Sequence, residues 1–408
     1  MNILYLSQYF PPEAGATQTR AYEMGRNLVK MGHTVTMIAE VPNHPSGIIP
    51  PEYRGKLWER AELEGMEVIR VWVKASPVKN FANRMAFYLT YMLNATLAGL
   101  FLARKRYDVL LVTSPPLFVG AAGLALHFLR QIPMVFEVRD LWPESAVALG
   151  ELKNPKAIAL ATRLEEACYA QARRVVVVTE GIRSRLLKRG LPPEKIALIP
   201  NGANTQMFGY NPQARARLRA EWGFTPNTFV AMYAGIHGIA QGLETVLHAA
   251  DKLRQHPQVQ FVLVGDGPER AGLQHLAQQL NLPNLRFLGE QARQNMPALL
   301  SAADTALIPL RKLELFKGAL PSKVFDAWAC ERPVLLSVDG EARAALESCA
   351  GGWYVPPEDA DALSAAVLRL AALPEGERAA MGLRGRAFTE QNFSRAAQAR
   401  ALGELLMG

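Results

Sequence analysis

The feature that most constrains the fold is an alternation of short apolar runs with longer amphipathic ones, which occurs twice along the chain. Strands that alternate with helices form parallel βαβ units. The sequence therefore predicts an α/β fold with two Rossmann-like, doubly wound domains that face a central cleft. Ligands of such sheets bind at the carboxyl ends of the strands, so we expect the ligand in that cleft. The predicted strands are 3–6, 34–39, 68–71, 109–113, 134–137 and 175–178, then 229–234, 260–264, 285–287, 305–308 and 333–337.

Turn-forming residues at 199–212 interrupt this alternation and indicate a domain boundary. A chain of 408 residues is also too long for one ordinary core. We therefore predict an N-terminal domain over 1–200 and a C-terminal domain over 201–390. Residues 391–408 form a predicted helix that can return to the N-terminal domain.

The formal net charge of +8 favours anionic partners such as phosphates or an anionic membrane surface. The sequence has no motif of the known nucleic-acid-reading kinds, so we expect no nucleic acid partner. Cys168, Cys330 and Cys349 are too scattered for a disulfide framework or a metal site. The scattered cysteines therefore predict a protein of the reducing cytoplasm.

The run 85–103 has no charged residue, and basic residues flank it on both sides. Its length would suffice for a membrane span, but Thr90, Asn94 and Thr96 interrupt it and its place inside one α/β domain opposes a span. Two interpretations remain. It is an ordinary helix packed on the sheet, or an interfacial helix with shallow contact to an anionic membrane.

Two glycine-containing loops follow predicted strands. Gly15 and Ala16 lie just before the first helix, without the GxGxxG pattern of nicotinamide-binding loops. The loop 235–242 has three glycines around His237 and Gln241, which is typical of a loop shaped around phosphate or sugar. We count Gly15, Ala16, His237 and Gln241 as candidates for binding a ligand with phosphate or sugar groups.

The stretch 319–335 contains the most specific candidate site. A Pro-Ser turn opens a helix whose first amides, at Ser322 and Lys323, can bind an anion. Lys323 and Asp326 lie three residues apart, on one face of that helix. We predict that the amides and Lys323 bind the phosphates of a nucleotide diphosphate and that Asp326 binds its ribose hydroxyls.

Several stretches occur in an order that resembles the retaining glycosyltransferases of family 4, which have the GT-B fold. Within this family, the chain most resembles the bacterial transferases that add N-acetyl-fucosamine-type sugars in O-antigen or capsule synthesis. The matching stretches are GHTV at 32–35, VRDLWPE at 138–144, VVVVTEGIR at 175–183, IPNGANTQMF at 199–208, LVGDGPE at 263–269, FLGE at 287–290, AADTALIPL at 302–310 and the helix at 319–335.

The resemblance implies roles for individual residues, and the chain departs from the family pattern at three points. Asp326 matches the acidic residue that holds ribose, whereas Gly318 stands where the family has a sugar-binding acid. His237 and Gln241 occupy the loop in which the family often has Arg and Lys for the diphosphate. Lys323 is therefore our first candidate for that charge and Arg311 our second.

Asp140 and Arg139 stand where family members often have His-Asp facing the sugar. Asp140 is the predicted orienting carboxylate, and Arg139 replaces the histidine. We expect Asp140, Arg139 and Lys323 to be the catalytic residues. Glu144 and Trp142 are weaker candidates, and Glu137 is either a helper or a buried structural carboxylate.

The resemblance implies transfer of a sugar from a UDP-linked donor to a lipid-linked glycan acceptor, with retention at the anomeric carbon. The resemblance also places the acceptor in the 1–200 domain and the donor in the 201–390 domain, and it implies that the protein needs no cofactor and no metal. Two alternatives remain open, namely a nucleotide-sugar epimerase of the same fold and a non-catalytic protein that binds nucleotide sugars.

Overall fold

The computed structural model describes residues 1–13, 15–44, 46–78 and 80–408. Within it the chain divides into two compact units. The first unit comprises residues 1–200 and 396–408, and the second comprises 201–395.

The first unit has eight described strands in one sheet, with the order β3-β4-β2-β1-β5-β6-β7-β8. The strands are β1 (Asn2–Leu6), β2 (Thr34–Glu40), β3 (Trp58–Leu63), β4 (Met66–Val71), β5 (Val109–Ser114), β6 (Met134–Val138), β7 (Arg174–Val177) and β8 (Ile196–Leu198). The helices are α1 (Ala16–Lys30), α2 (Phe81–Phe101), α3 (Phe118–Arg130), α4 (Glu144–Ala148), α5 (Pro155–Gln171) and α6 (Glu180–Lys188). The pairing is parallel except between β3 and β4.

The second unit is built on six described strands in the order β11-β10-β9-β12-β13-β14, all parallel. They are β9 (Phe229–Ala234), β10 (Val259–Val264), β11 (Leu285–Leu288), β12 (Thr305–Pro309), β13 (Val334–Ser337) and β14 (Gly352–Tyr354). The helices are α7 (Pro212–Glu221), α8 (Glu244–Lys252), α9 (Arg270–Gln279), α10 (Met296–Ala302), α11 (Ser322–Ala329), α12 (Glu341–Cys349), α13 (Ala360–Ala372) and α14 (Glu375–Asn392). A last helix, α15 (Arg395–Met407), follows.

Both sheets are buried on both faces, which is why their strands are continuous apolar runs. Along β1, Leu4 and Leu6 enter one core cluster, while Ile3 and Tyr5 enter another. Helix α15 contributes to the second of these clusters, together with β1. The predicted α/β fold with two Rossmann-like parallel sheets is confirmed.

The sequence prediction missed β3, β8 and β14. Strand β3 is the antiparallel edge of its sheet and is charged and mostly exposed, so it lacks an apolar pattern. Strands β8 and β14 have only three residues each. Helix α1 begins at Ala16, so Ala16 belongs to the helix that the prediction placed just after it.

Helix α2 accounts for most of the uncharged run at 85–103. It buries Tyr91, Ala95, Ala98 and Gly99 and packs along α3. Over the described part of the chain, every helix is too short or too polar to cross a bilayer.

Candidate active site

In the second unit, β9 lies between β10 and β12, so the strand order reverses beside β9. The carboxyl ends of strands at such a reversal are the usual ligand position in doubly wound sheets. Three segments of the unit begin there, namely the loop 235–242, the turn 265–269 and the connection that leads from β12 to α11.

Helix α11 begins without a side-chain cap among the described residues, because Pro321 occupies the capping position. The amide of Val324 donates to the carbonyl of Pro321 at 3.1 Å. The amides of Ser322 and Lys323 belong to the first turn, which a helix leaves without intrahelical acceptors. Ser322 is half-buried, so this end of the helix is partly open to solvent. Unpaired first-turn amides at an accessible helix start are the form expected of an anion site.

The Lys323 side chain turns back toward β9 and is half-buried. Its Nζ donates to the Tyr233 hydroxyl at 2.6 Å and lies 4.4 Å from the centre of that ring. The hydroxyl of Tyr233 in turn donates to the carbonyl of Ile236 at 2.6 Å. Burial lowers the pKa of Lys323 to about 7, so Lys323 is not a freely solvated helix residue.

Asp326 lies on the same helical face, and both Lys323 and Asp326 line a cavity of about 30 Å³. The Asp326 carboxylate contacts the guanidinium of Arg293 through two nitrogen–oxygen distances of 3.5 Å. Arg293 also lies 4.8 Å from the centre of the Phe208 ring. Sequence reasoning missed Arg293, because only the fold brings it to α11.

The loop 235–242 differs from the prediction at His237. This side chain is 0% exposed and packs near the rings of Tyr233 and Phe287. Its ring nitrogens have no hydrogen-bond partner among the described residues. Burial, with a contribution from Arg270, lowers the pKa of His237 to about 4, so the ring is neutral at pH 7 and supplies no charge to a phosphate.

The backbone of His237 joins two loops of the site. Its amide donates to the carbonyl of Asp266 at 2.8 Å, and its carbonyl accepts from the amide of Glu269 at 2.9 Å. A Cβ on Gly267 would fall 2.5 Å from the His237 carbonyl oxygen. His237 therefore holds the loop 235–242 against the turn 265–269.

Two further donor-side candidates have defined surroundings. Gln241 is half-buried, and its Oε1 lies 2.8 Å from where a Cβ on Gly238 would be. Arg311 donates to the carbonyl of Ile239 and pairs with Glu244 and Glu358. Because these partners already occupy its guanidinium, Arg311 is a weaker candidate than Lys323.

Gly318 ends a short 3-10 helix, Glu314–Gly318. The nearest acidic residue along this helix, Glu314, is 82% exposed at its side chain and pairs with Lys317. The structure thus supplies no buried carboxylate within this helix to replace the missing acid.

In the first unit, Arg139 and Asp140 directly follow β6. Asp140 accepts a hydrogen bond from Ser145 at 2.8 Å, and burial raises the pKa of Asp140. Nε and Nη1 of Arg139 are buried and have no hydrogen-bond partner among the described residues. Burial lowers the pKa of Arg139 to about 10, so the guanidinium stays protonated at pH 7.

Glu137, two residues earlier, is a structural carboxylate. It pairs with Arg20 at 2.8 Å, and both side chains are 0% exposed. It also accepts from Thr113 at 2.6 Å. Burial by itself would raise the pKa of Glu137, but Arg20 beside it holds that pKa below its ordinary value.

Gly15 and Ala16 are exposed at the start of α1, where Gly15 takes the capping position. Glu144 pairs with Arg185, and Trp142 packs partly buried against the core. Among the described residues, no group of three or more His, Cys, Asp or Glu side chains is placed to hold a metal ion.

Comparison with known families matches both units. Residues 15–202 match the family described as "Glycosyl transferase 4-like domain", and residues 214–388 match "Glycosyl transferases group 1". A curated relative is the putative colanic acid biosynthesis glycosyl transferase WcaI of Escherichia coli K12. It is 25% identical over 405 residues, which cover 97% of this chain and 98% of the relative.

Solved structures share the fold. Sucrose-phosphate synthase from Thermosynechococcus elongatus superposes with a TM-score of 0.78 at 22% identity, covering 99% of this chain and 98% of the other. Anabaena HepE in complex with UDP-glucose superposes with a TM-score of 0.74 at 17% identity, covering 100% and 99%. The solved neighbours show the GT-B fold. The two family matches show that the chain is a glycosyltransferase, with a family 4-like domain over 15–202 and a group 1 domain over 214–388.

Proposed function

We propose that this glycosyltransferase moves a sugar from a UDP-linked donor to a glycan acceptor in the synthesis of a cell-surface polysaccharide. The observation that carries the proposal is the start of α11, where two first-turn amides, Lys323 and Asp326 meet at the strand reversal of the second sheet. The WcaI relative is named for colanic acid biosynthesis, which supports a polysaccharide product. HepE was solved with UDP-glucose, which supports a UDP-linked donor.

The proposed roles follow from charge and geometry. The amides of Ser322 and Lys323, with the Lys323 ammonium, bind the diphosphate and stabilise the charge that develops on it as it leaves. Asp326 accepts hydrogen bonds from the ribose hydroxyls. Asp140 orients the sugar, while Arg139 acts through its charge, because a guanidinium does not serve as a base.

We further propose that transfer retains the anomeric configuration. The bond between the anomeric carbon and the phosphate oxygen breaks, and the acceptor oxygen bonds to that carbon from the same face. The acceptor proton passes to the leaving phosphate. The protein then contributes positioning and electrostatic stabilisation rather than a covalent nucleophile.

The first experiment is a thermal-shift panel of nucleotides and nucleotide sugars, because a ligand that binds the folded state raises its stability. A hit is then incubated with and without glycan acceptors. Transfer that requires the acceptor supports the proposal. Epimerisation of the donor alone, or binding without transfer across the acceptor panel, would favour the two alternative functions.

The substitution Asp326→Asn tests the nucleotide site directly. We expect the donor KM to rise about 10-fold or more, because hydrogen bonds to a charged group contribute about 1.5–3 kcal/mol. Asp361→Asn is the matched control, since that carboxylate on α13 is exposed and pairs with Lys252 of α8. Equal KM values for the donor in the two variants would show that Asp326 does not bind the donor.

For the sugar, we propose an N-acetylated 6-deoxyhexose, because Gly318 lacks the acid that recognises sugar hydroxyls in the family pattern. A donor panel in which only fully hydroxylated hexoses are transferred would contradict this. We also propose that no metal takes part, so transfer should persist in EDTA. Loss of activity on chelation, restored by a divalent cation, would show the opposite.

The acceptor in this proposal is lipid-linked, and the protein binds peripherally to the inner face of the cytoplasmic membrane. Leu89, Leu93, Leu97 and Phe101 on α2 are exposed and recur every four residues, so they form one apolar stripe. Basic residues at 104–106 follow the stripe immediately. An apolar helical face beside basic residues suits shallow insertion into an anionic surface.

Vesicle flotation tests this contact. We expect the wild-type protein to bind phosphatidylglycerol vesicles and to bind phosphatidylcholine vesicles more weakly. The double variant Leu93→Glu/Leu97→Glu should bind neither kind of vesicle. A control double variant, Leu383→Glu with Leu198→Glu, also replaces two exposed leucines, neither of which lies on α2. Equal flotation of the two double variants would exclude α2 as the contact.

A further inference from the structure

The Lys323 side chain lies in a slot made by two residues that the donor-site pattern does not include. On one side is the Tyr233 ring, whose centre is 4.4 Å from Nζ and whose hydroxyl accepts from it at 2.6 Å. On the other side is Gly235, where a Cβ would fall 2.3 Å from Cε and 2.6 Å from Nζ of Lys323. Any larger residue at 235 would therefore displace the lysine.

The hydrogen-bond direction at Tyr233 is fixed by its second partner. The phenol has one proton, and the carbonyl of Ile236 at 2.6 Å takes it. The phenol oxygen is therefore an acceptor toward Lys323. A lysine held by one neutral acceptor keeps further N–H groups for a ligand, and its end is fixed in direction.

We propose that Tyr233 and Gly235 are positioning residues for the donor reaction, which hold the end of Lys323 at the start of α11 so that it meets the donor diphosphate. This inference rests on the proposed function. Neither residue needs to touch the substrate, because both act through Lys323.

The position has a consequence for protons. Burial lowers the pKa of Lys323 to about 7, so in the protein without ligand most of this lysine is uncharged above pH 7. A bound diphosphate raises that pKa, and the lysine then takes up a proton. The titratable groups that face Lys323 are Tyr233 and His237, with Asp326 and its partner Arg293 on the cavity. His237 is neutral, and burial raises the pKa of Tyr233, so neither changes charge between pH 7 and 9.

Calorimetric titration with UDP-glucose and GDP-mannose from pH 7 to 9 tests the proposal. Both are pyrophosphate diesters with no phosphate proton to lose in this range. In the wild-type protein we expect the Kd to rise by up to about tenfold per pH unit above pH 7, with proton uptake on binding. In Lys323→Met this pH dependence should disappear.

In Tyr233→Phe we expect about 3- to 10-fold weaker binding at pH 7, the size of one lost hydrogen bond. The lysine is then free to reach water, so the rise in Kd with pH should flatten. Tyr91→Phe is the matched control, because Tyr91 is 0% exposed and donates one hydrogen bond to a carbonyl, that of Ile38. It should lose stability without changing the pH profile.

Gly235→Ala should flatten the profile as Tyr233→Phe does. Gly223→Ala is its control, because Gly223 also has a positive φ but no described atom within 4 Å of an added Cβ. If Tyr233→Phe and Gly235→Ala keep the wild-type profile, this inference fails while the proposed function stands. If the wild-type protein binds no nucleotide diphosphate at all, the proposed function fails first.

Discussion

At the scale of single residues, the buried cation Arg20 and the half-buried cation Lys323 have very different surroundings. Arg20 donates to Glu137 and to the carbonyls of Ile199 and Pro200, so its charge and its donors are matched. Within the part of the chain that the structure describes, Lys323 has one hydrogen-bond acceptor, the neutral phenol of Tyr233. The surroundings of Arg20 are typical of a structural ion pair. Those of Lys323 are typical of a functional cation that binds an anionic ligand.

The Arg20–Glu137 pair should therefore be needed for stability. We expect Glu137→Gln to lower the free energy of unfolding by about 3–5 kcal/mol, because Arg20 would be left as an uncompensated buried charge. Chemical denaturation measures the loss. Glu347→Gln, which breaks the exposed pair with Arg343, should leave the stability nearly unchanged, because water and salt screen such a pair. Similar losses in both variants would mean that burial does not decide the effect.

For Lys323 the sign of the pH dependence is the reverse of that for a paired cation. The pKa of about 7 in the folded state lies below the ordinary value of 10.5, so the unfolded chain binds the extra proton between these values. This group therefore makes the empty protein more stable as the pH rises from about 7 to 10.5.

We expect Lys323→Met to be more stable than the wild-type protein at pH 7 and to lose that advantage by pH 10. Thermal unfolding across this range measures the difference. Lys188→Met, at an exposed position on α6, should show no such trend. A constant difference between Lys323→Met and the wild-type protein at all pH values would contradict the lowered pKa.

Sequence patterns indicated Lys323 and Asp326 because both belong to one local motif and share a helical face. The same patterns could not indicate Tyr233 or Arg293, which lie 90 and 33 residues from their partners. They also predicted that His237 contacts the donor, whereas the structure buries this side chain completely. Local composition does not reveal how deeply a loop residue is buried. The roles of Ser322, Gln241, Gly15, Ala16, Arg139 and Asp140 remain predictions.

At the scale of elements, burial on both sheet faces made the long apolar strands easy to predict. Strand β3 was missed because a charged edge strand looks like a loop in sequence. Helix α15 presents Ala399, Leu402 and Leu406 to the cluster that contains Ile3 and Tyr5 of β1. This contact depends on the tertiary fold, so periodicity alone predicted the helix but not its packing partners.

We expect Leu402→Ala to lower the free energy of unfolding by about 2–5 kcal/mol, because Leu402 is 0% exposed and its loss leaves a cavity. Denaturant unfolding followed by circular dichroism measures it. Leu383→Ala on α14, where the leucine is 52% exposed, should change stability by less than about 0.5 kcal/mol. Equal effects would place Leu402 outside a packed core.

At the scale of the whole molecule, each unit has its own cores, and the proposed nucleotide site uses side chains of the second unit. We expect UDP to slow amide hydrogen exchange most strongly in the loop 235–242 and at the start of α11, because binding suppresses local opening. Exchange followed by mass spectrometry, with uridine as the control that lacks phosphate, measures this. Protection confined to residues 1–200 would place the nucleotide elsewhere.

The placement of α15 has a consequence for the order of events during synthesis. The first unit begins with residue 1 but includes residues 396–408, and the whole second unit is translated in between. Until α15 leaves the ribosome, the apolar side chains of β1 and α1 that it covers lack their partner. Completion of the first unit's packing thus has to wait until α15 is made, and a ribosome that stalls before residue 396 leaves a nascent chain with an uncovered apolar surface for chaperones to bind.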